Sequence, residues 1–423
     1  MKYRLADICT ITKGETGIMK AISGSYTMVA LGEANKTHNE FQFDTKAVII
    51  PLVSSTGHGH ASMKRVKYQE GKFALGSILC AVIPKDENIV LAKYLHIYLH
   101  WNREELLVSQ MKGMANVSLP MNKIADVLVT VPSIEKQQEI IDLEMQLVEK
   151  ELSVEKLLSD QLTQLSNLNQ AILQEAVQGK LVKQDKKDEP ASELLKRIKA
   201  EKAKSGKKEK TLPPIKPEEI PFEIPENWVW CRLGEIIQYT DNLDIQKYLS
   251  ADTIVNYVDI DAIDNKNFVI KEAKQKSVRE LSTRARRVLK PNYIAYSTVR
   301  PYLKNIAIIE DELENYIGST GFNVFKTINT ELKYAFYYLL TPYVNNSFKE
   351  LMVGFNSPSI TNDQFEKSLL PLPSLSEQKR IVAEIEKQLA KTKQLKEHII
   401  ANQQATEQLL KALLHQAFEV EEV

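Results

Sequence analysis

Two long stretches of the chain carry apolar residues at spacings of three and four. In the first, Leu147, Val154, Leu158, Leu165, Leu168 and Ile172 fall in one heptad frame. In the second, Leu395, Ile399, Leu409 and Leu413 occupy the same frame, with Thr392, Asn402 and Thr406 as polar interruptions. A spacing sustained this long predicts two helices with a coiled-coil seam. Each stretch opens on Pro-Ser, at Pro132-Ser133 and Pro373-Ser374. Ser374 followed by Glu377 makes a capping box, whereas Lys136 stands where the first copy would need its glutamate. About 45 residues at 1.5 Å each give rods of roughly 65 Å. Both rods belong to one chain and share a frame, so each is expected to pair with the other, antiparallel. The alternative is that each helix packs only on its own globular half.

The pattern is written twice. Shifted by 241 residues, 115–177 lies on 356–418 without a gap, so that VTVPSIEKQQEII at 129–141 meets LPLPSLSEQKRIV at 370–382. Gly113 meets Gly354 just upstream, and YRLADI at 3–8 rhymes with CRLGEI at 231–236. A period this long means domain duplication and not a solenoid. The globular halves mix short β-rich runs, such as AVIIPLV at 47–53 and FNVF at 322–325, with helical stretches at 92–108 and 332–350. The expected class is therefore α+β, with two globular α/β domains separated by two long antiparallel helices. The boundaries read as 1–131 and 221–372 for the globular halves, 132–182 and 373–423 for the helical regions, and 183–220 between the copies. That connecting stretch is charged and Pro-bearing, with one short helix from Ser192 to about Lys204, and reads as a solvated tether.

Composition narrows the class. With 423 residues, 43% of them hydrophobic, the chain can build two or three cores. Cys9, Cys80 and Cys231 are scattered and form no ligand spacing, which suggests neither a disulfide framework nor a zinc site and fits a reducing cytoplasm. The N-terminus lacks the apolar core of a signal peptide, and no apolar run approaches membrane-spanning length. Formal net charge is zero, but the charge is uneven: residues 271–305 carry 10 Lys and Arg against 2 Asp and Glu, and residues 131–190 carry 7 against 12. Local charge, not the sum, makes an electrostatic footprint for phosphate. By the same token the acidic first helix is not expected to touch DNA.

Catalytic signatures are missing. There is no GxxxxGK[ST], no GxGxxG before a helix, and no Asn-Pro-Pro-aromatic tetrapeptide. A nuclease-like trio of Asp311, Glu331 and Lys333 has no counterpart in the other half, and His58 with His60 lacks accompanying carboxylates or thiols for a metal. The segment around those histidines suits nucleic acid better. SSTGHGHASMKRVK offers Ser54, Ser55, Thr56, His58, His60, Lys64, Arg65 and Lys67, and its glycines let backbone approach a phosphate. In the second half, 274–290 supplies Arg279, Arg284, Arg286 and Arg287, and YSTVRPYLKN supplies Arg300, Tyr302 and Lys304. Arginine can grip guanine bidentately or simply neutralise phosphate. For any one of these side chains the plain alternative is a surface salt bridge.

These segments together resemble the specificity (S) subunits of type I restriction–modification systems over essentially the whole chain. IPFEIPENWVWCRLGEI at 220–236 looks like the entry to a second target-recognition domain, and GKLVKQDKKDEPASELLKRIKAEK at 179–202 is similar to the stretch after the central conserved helix. The Pro-Ser…Gln openings at 132–137 and 373–378 look like the starts of the two conserved helical regions. The first half departs from the pattern in lacking the Pro-x-x-Trp entry. The resemblance implies a non-catalytic subunit that reads a bipartite double-stranded DNA site with a fixed gap. It implies two methyltransferase (M) subunits that bind S-adenosylmethionine and restriction–translocase (R) subunits that use ATP and Mg, with no cofactor on this chain. Rival readings are a recognition part of another modification or phage-defence assembly, a self-sufficient nuclease or methyltransferase, and a coiled-coil scaffold.

Overall fold

The computed structural model describes residues 1–56, 60–114, 116–204, 211–310 and 316–419. The chain divides into two units, Met1–Asp160 with His398–Val423, and Gln161–Glu397. Both units use the same plan. In the first, a four-stranded antiparallel sheet has the order Cys9–Lys13, Leu79–Pro84, Ala47–Pro51, Lys67–Gln69. In the second, the order Ile237–Tyr239, Phe322–Thr327, Tyr293–Ser297, Ile306–Ile309 repeats it strand for strand. A second four-stranded sheet follows in each unit, with one parallel pair at its centre: Tyr26–Val29 beside Lys72–Leu75, and Ile254–Val258 beside Tyr316–Ser319. A two-stranded ribbon closes each unit at its helical side, Lys2–Arg4 with Leu128–Thr130 and Val229–Arg232 with Leu369–Leu372. The duplication seen in the letters is thus a duplication of topology.

The ribbon leads directly into the long helices, Ile134–Val177 and Leu375–Phe418. In each helix a serine caps the first turn, Ser133 Oγ accepting from Lys136 N–H at 3.3 Å and Ser374 Oγ from Glu377 N–H at 3.1 Å. Four residues after each capping serine comes a fully buried glutamine that ties helix to domain. Gln137 accepts from the Leu91 N–H at 2.8 Å and donates to the carbonyls of Ile89 and Pro132. Gln378 accepts from the Glu331 N–H at 2.8 Å and donates to Pro373 O. Leu91 and Glu331 begin the domain helices Ala92–Trp101 and Leu332–Leu339, so each glutamine satisfies a helix-start donor that burial would otherwise strand.

Within each unit the two helical segments run antiparallel. In the first, Leu410 and Leu414 share a core with Ile140, Ile141 and Leu147, and Glu151 lies near Glu407; burial, then the like charges of Glu155 and Glu407, raise the Glu151 carboxyl. In the second, Thr392 Oγ1 meets Asn169 Oδ1 at 2.7 Å, while Ile172, Ala176 and Val177 pack with Ile381 and Ile385. The half-buried Thr392–Asn169 pair is a polar contact of the kind that fixes register. Each segment also packs on a globular layer, so the expected pairing holds and the alternative, packing on the globular half alone, does not.

The heptad frame needs correction in part. Leu158 and Ile172 are buried and Leu147, Val154 and Leu165 are half-buried, but Leu168 faces outward. In the second helix Ile399 is half-buried, whereas Leu395, Leu409 and Leu413 are exposed. The residues one place on, Leu410, Leu414 and then Phe418, are buried instead. The doublets Leu409-Leu410 and Leu413-Leu414 make two registers equally apolar. The domain decides between them: Phe418 docks edge-on against Tyr98, ring centroids 5.2 Å apart, and against Tyr94.

The stretch between the copies is also less free than its composition suggests. Its helix, Ala191–Lys204, buries Ala191, Leu194 and Ile198 in the second unit's core. Gln184 and Trp228 Nε1 both donate to the buried Glu377 carboxylate, the latter at 2.9 Å, and Asp188 pairs with Arg380. Glu377 is therefore the reason a Pro-x-x-Trp entry belongs to the second half, and Lys136 at the corresponding place could not receive it. Among the described residues no helix is long and apolar enough to cross a membrane.

Replacing Gln378 with Leu is expected to cost about 1–3 kcal/mol, because it strands the Glu331 N–H in the core. Thermal unfolding of the full chain reads this as a fall of a few degrees; an unchanged midpoint would refute the clamp.

Candidate nucleic-acid interface

The two basic loops occupy the same topological position. Residues 52–66 link Ala47–Pro51 to Lys67–Gln69, and residues 298–305 link Tyr293–Ser297 to Ile306–Ile309, each joining an inner strand of the first sheet to its edge strand. In the first unit Ser54 N–H donates to Val117 O at 3.0 Å, Ser54 Oγ to His60 O at 2.6 Å, and Ser55 N–H to Ser62 O at 2.8 Å. Ser55 Oγ accepts from Lys64 N–H, and Thr56 Oγ1 lies near Ser54 Oγ. The hydroxyls thus shape the loop from within, a tight local use of Ser and Thr. His60 and Lys64 are left on the surface, and Arg65 makes a half-exposed ion pair with Glu33 at 3.3 Å. His58 lies outside the described residues.

In the second unit Arg300 sits in left-handed backbone, φ 47°, and is held there by Arg300 N–H to Pro358 O at 2.8 Å and Nη2 to Asn356 O at 2.8 Å. A non-glycine residue keeps such a conformation only where neighbours over-determine it. Tyr302 and Arg284 are exposed, Arg286 donates to its neighbour Thr283, and Arg279 pairs with Asp252. The 319–321 turn joins the two basic segments: Thr320 N–H donates to Arg284 O, and Thr298 N–H to Gly321 O. The cluster at 274–290 belongs to the second sheet, and its counterpart in the first unit by strand order is 36–46, not 54–67.

Three cations named from sequence turn inward. Lys67 Nζ donates to Ala30 O at 2.8 Å, Gly32 O at 2.6 Å and Asn35 Oδ1 at 2.9 Å, which uses its three donors, and burial lowers its pKa. Lys304 reaches Leu340 O, the end of the Leu332–Leu339 helix, where a cation meets the negative end of the dipole; burial lowers its pKa too. Arg287 is half-buried beside Tyr239, and its Nε has no hydrogen-bond partner among the described residues. These three are better placed to hold the domains than to meet a phosphate.

Residues that sequence reading passed over hold the first loop in place. His96 Nε2 lies 3.0 Å from Val66 O, and His100 Nδ1 lies 3.3 Å from Val66 N. Arg103 adds a 2.8 Å bond from Nε to Met63 O. The His96 and His100 spacing of four is the only signal for this in the letters: both fall on one face of Ala92–Trp101. Burial lowers the pKa of both imidazoles, that of His100 to about 4. Lys333 is ion-paired with Glu386, Asp311 lies outside the described residues, and among the described residues no cluster of His, Cys, Asp or Glu could hold a metal.

A sequence model of the type I restriction modification DNA specificity domain matches residues 1–164 and 225–402. The chain belongs to that family. The two matched spans take in both globular layers and most of both long helices, as a duplicated specificity domain should. Among its relatives, the type I restriction enzyme EcoAI specificity subunit of Escherichia coli is 36% identical over 254 residues, 54% of this chain and 40% of the relative. The EcoEI specificity subunit of the same organism is 31% identical over 261 residues, 59% and 43% respectively. The chain thus spans about two fifths of the length of these relatives. The EcoDI specificity subunit, also of Escherichia coli, aligns over 98% of the chain and 88% of itself at 23% identity. Two solved structures share the fold of this specificity-domain chain. One comes from work on complex assembly and conformational transition of the type I R-M system, with TM-score 0.62, 16% identity and coverage of 99% and 97%. The other is the HsdS subunit from Thermoanaerobacter tengcongensis, with TM-score 0.52, 15% identity and coverage of 99% and 96%.

The buried histidines predict a pH dependence in the first domain. The unfolded chain protonates His100 near pH 6.5 but the folded chain only near 4, so stability present above pH 6.5 falls as pH drops toward 4, by about 3 kcal/mol. His100→Asn should flatten that slope in urea unfolding followed from pH 7 to 4; a slope that survives the substitution would assign it to other groups.

Proposed function

We propose that this chain is the DNA-sequence recognition subunit of a type I restriction–modification complex and carries no catalytic site of its own. It reads a bipartite, gapped double-stranded site, one half-site per globular domain. The observation that supports this most is the repetition of one loop on one sheet, in the same strand order, in two halves whose loop sequences differ. A repeated scaffold with divergent loops is what two different half-sites on a common frame require. His60, Lys64 and Arg65 in the first domain, and Arg279, Arg284, Arg286, Arg300 and Tyr302 in the second, are the side chains in position to meet phosphates and base edges.

The long helices do two further jobs in this reading. Their length sets the gap between half-sites, and their outward leucines receive the partner subunits. Leu152, Leu157, Leu409 and Leu413 are exposed in the first unit, Leu168 and Leu395 in the second. Apolar residues left outside on otherwise polar helices fit helical partners, and Leu168 and Leu409, which correspond across the repeat, offer one matching position in each unit to two copies of one M subunit. S-adenosylmethionine belongs to the M subunits, and ATP and Mg to the R subunits. The complex works in the cytoplasm, where the DNA is.

Adenine methylation mapped across the genome of the source cell, with and without the gene, tests the reading. Loss of one bipartite motif with a fixed gap on deletion is expected. An identical methylation map in both strains would contradict it.

A further inference from the structure

Beside each basic loop stands a short hairpin that neither the charge pattern nor the heptads point to. Residues 112–118 close on themselves through Lys112 N–H to Ser118 O and Ser118 N–H to Lys112 O, both 2.9 Å. Residues 353–359 do the same through Val353 and Ser359, both 3.0 Å. The turn in each begins on a glycine with positive φ, +131° at Gly113 and +112° at Gly354. At Gly113 a Cβ would sit 2.3 Å from Asn116 O, so no side chain fits there. The next residue in each hairpin is a large apolar one that touches almost nothing: Met114 is 95% exposed and Phe355 100%.

The hairpins are locked to the basic loops in the same way twice. Leu119 N–H donates to Leu52 O and Ser54 N–H to Val117 O in the first unit; Ile360 N–H donates to Thr298 O and Arg300 N–H to Pro358 O in the second. Each apolar tip therefore has a fixed position relative to a loop that carries cations and hydroxyls. Lys112 stands at the base of the first hairpin, and Arg300 grips Asn356, the neighbour of Phe355, in the second. Neither hairpin contains an Asp or a Glu. Lone exposed apolar residues need no explanation, but an apolar tip preserved at the same place in two halves whose loops have otherwise diverged does.

Resting on the reading above, we propose that Phe355 and Met114 are paired base-contacting tips, one per half-site. Each presses an apolar side chain against the base stack while the adjoining basic loop holds the phosphates. Apolar wedges flanked by cations are how proteins open or sense a base step, and an aromatic or thioether face suits the π-surface of a base. The hairpin's rigidity keeps the tip from collapsing onto the domain when DNA is absent.

The test uses the full chain assembled with its methyltransferase subunits, on duplexes carrying the motif whose methylation depends on the gene, with 2-aminopurine replacing one adenine at a time. Wild-type complex should brighten 2-aminopurine at one step in each half-site. Phe355→Ala should abolish the signal in one half-site only and weaken binding about tenfold, and Met114→Ala should do so in the other. Phe355→Leu should keep most of the affinity. Both Ala variants should melt like wild type, since neither side chain is packed. Wild-type signals and affinity in both Ala variants would overturn the inference and leave the recognition reading intact, as would variants that lose the methyltransferase subunits instead. A wild-type complex that shows no preference for the motif would overturn both.

Discussion

The core of each unit closes only with a helix end supplied by the other copy of the repeat. Leu410, Leu414 and Phe418, from the end of the second helix, complete the first unit's core beside Tyr94 and Ile140. Ile172, Leu173, Ala176 and Val177, from the end of the first helix, complete the second unit's core beside Ile381 and Ile385. Each Leu, Ile, Val or Phe among them contributes about 1.5–3 kcal/mol when fully buried, so three of them together amount to a large part of a typical domain's net stability. The exchange is what makes two similar domains one protein, and everything else is arranged around it: the glutamines that tie each helix start to its own domain, and the Thr392–Asn169 pair that fixes the register.

The same constraint explains the asymmetry between the halves. The chain must cross from the end of the first helix to the start of the second domain, and it does so against the second helix start, where Glu377 receives Trp228 and Gln184. At the corresponding place the first long helix carries Lys136, which cannot accept from an indole or amide N–H. The loops do not take part in the exchange. They have diverged in length and sequence while the hydrogen bonds that anchor them have not.

Much of this was legible in the letters because it repeats. A shift of 241 residues and a sustained three-four spacing reveal duplication and long helices without any structure. The register at the end of the second helix was not legible, since Leu409-Leu410 and Leu413-Leu414 are apolar in both frames and only the domain's aromatic rings choose. Nor could charge distinguish Lys64, on the surface, from Lys67, three residues away and caged by carbonyls: that depends on which strand the lysine starts and what lies across it. Nothing in the letters sets Met114 and Phe355 apart; their exposure comes from a glycine turn that sequence shows only as a shared Gly113 and Gly354.

If the helices space the two half-sites, their length is written into the DNA motif. One heptad inserted into each helix, after Asp160 and after Glu397, adds about 10 Å while keeping the apolar frame in step. The methylated motif of cells carrying that variant is the most direct measurement. The account predicts the same two half-sites with the unspecified gap longer by about three base pairs, from about 3.4 Å per base pair. The same half-sites at the original gap would contradict it.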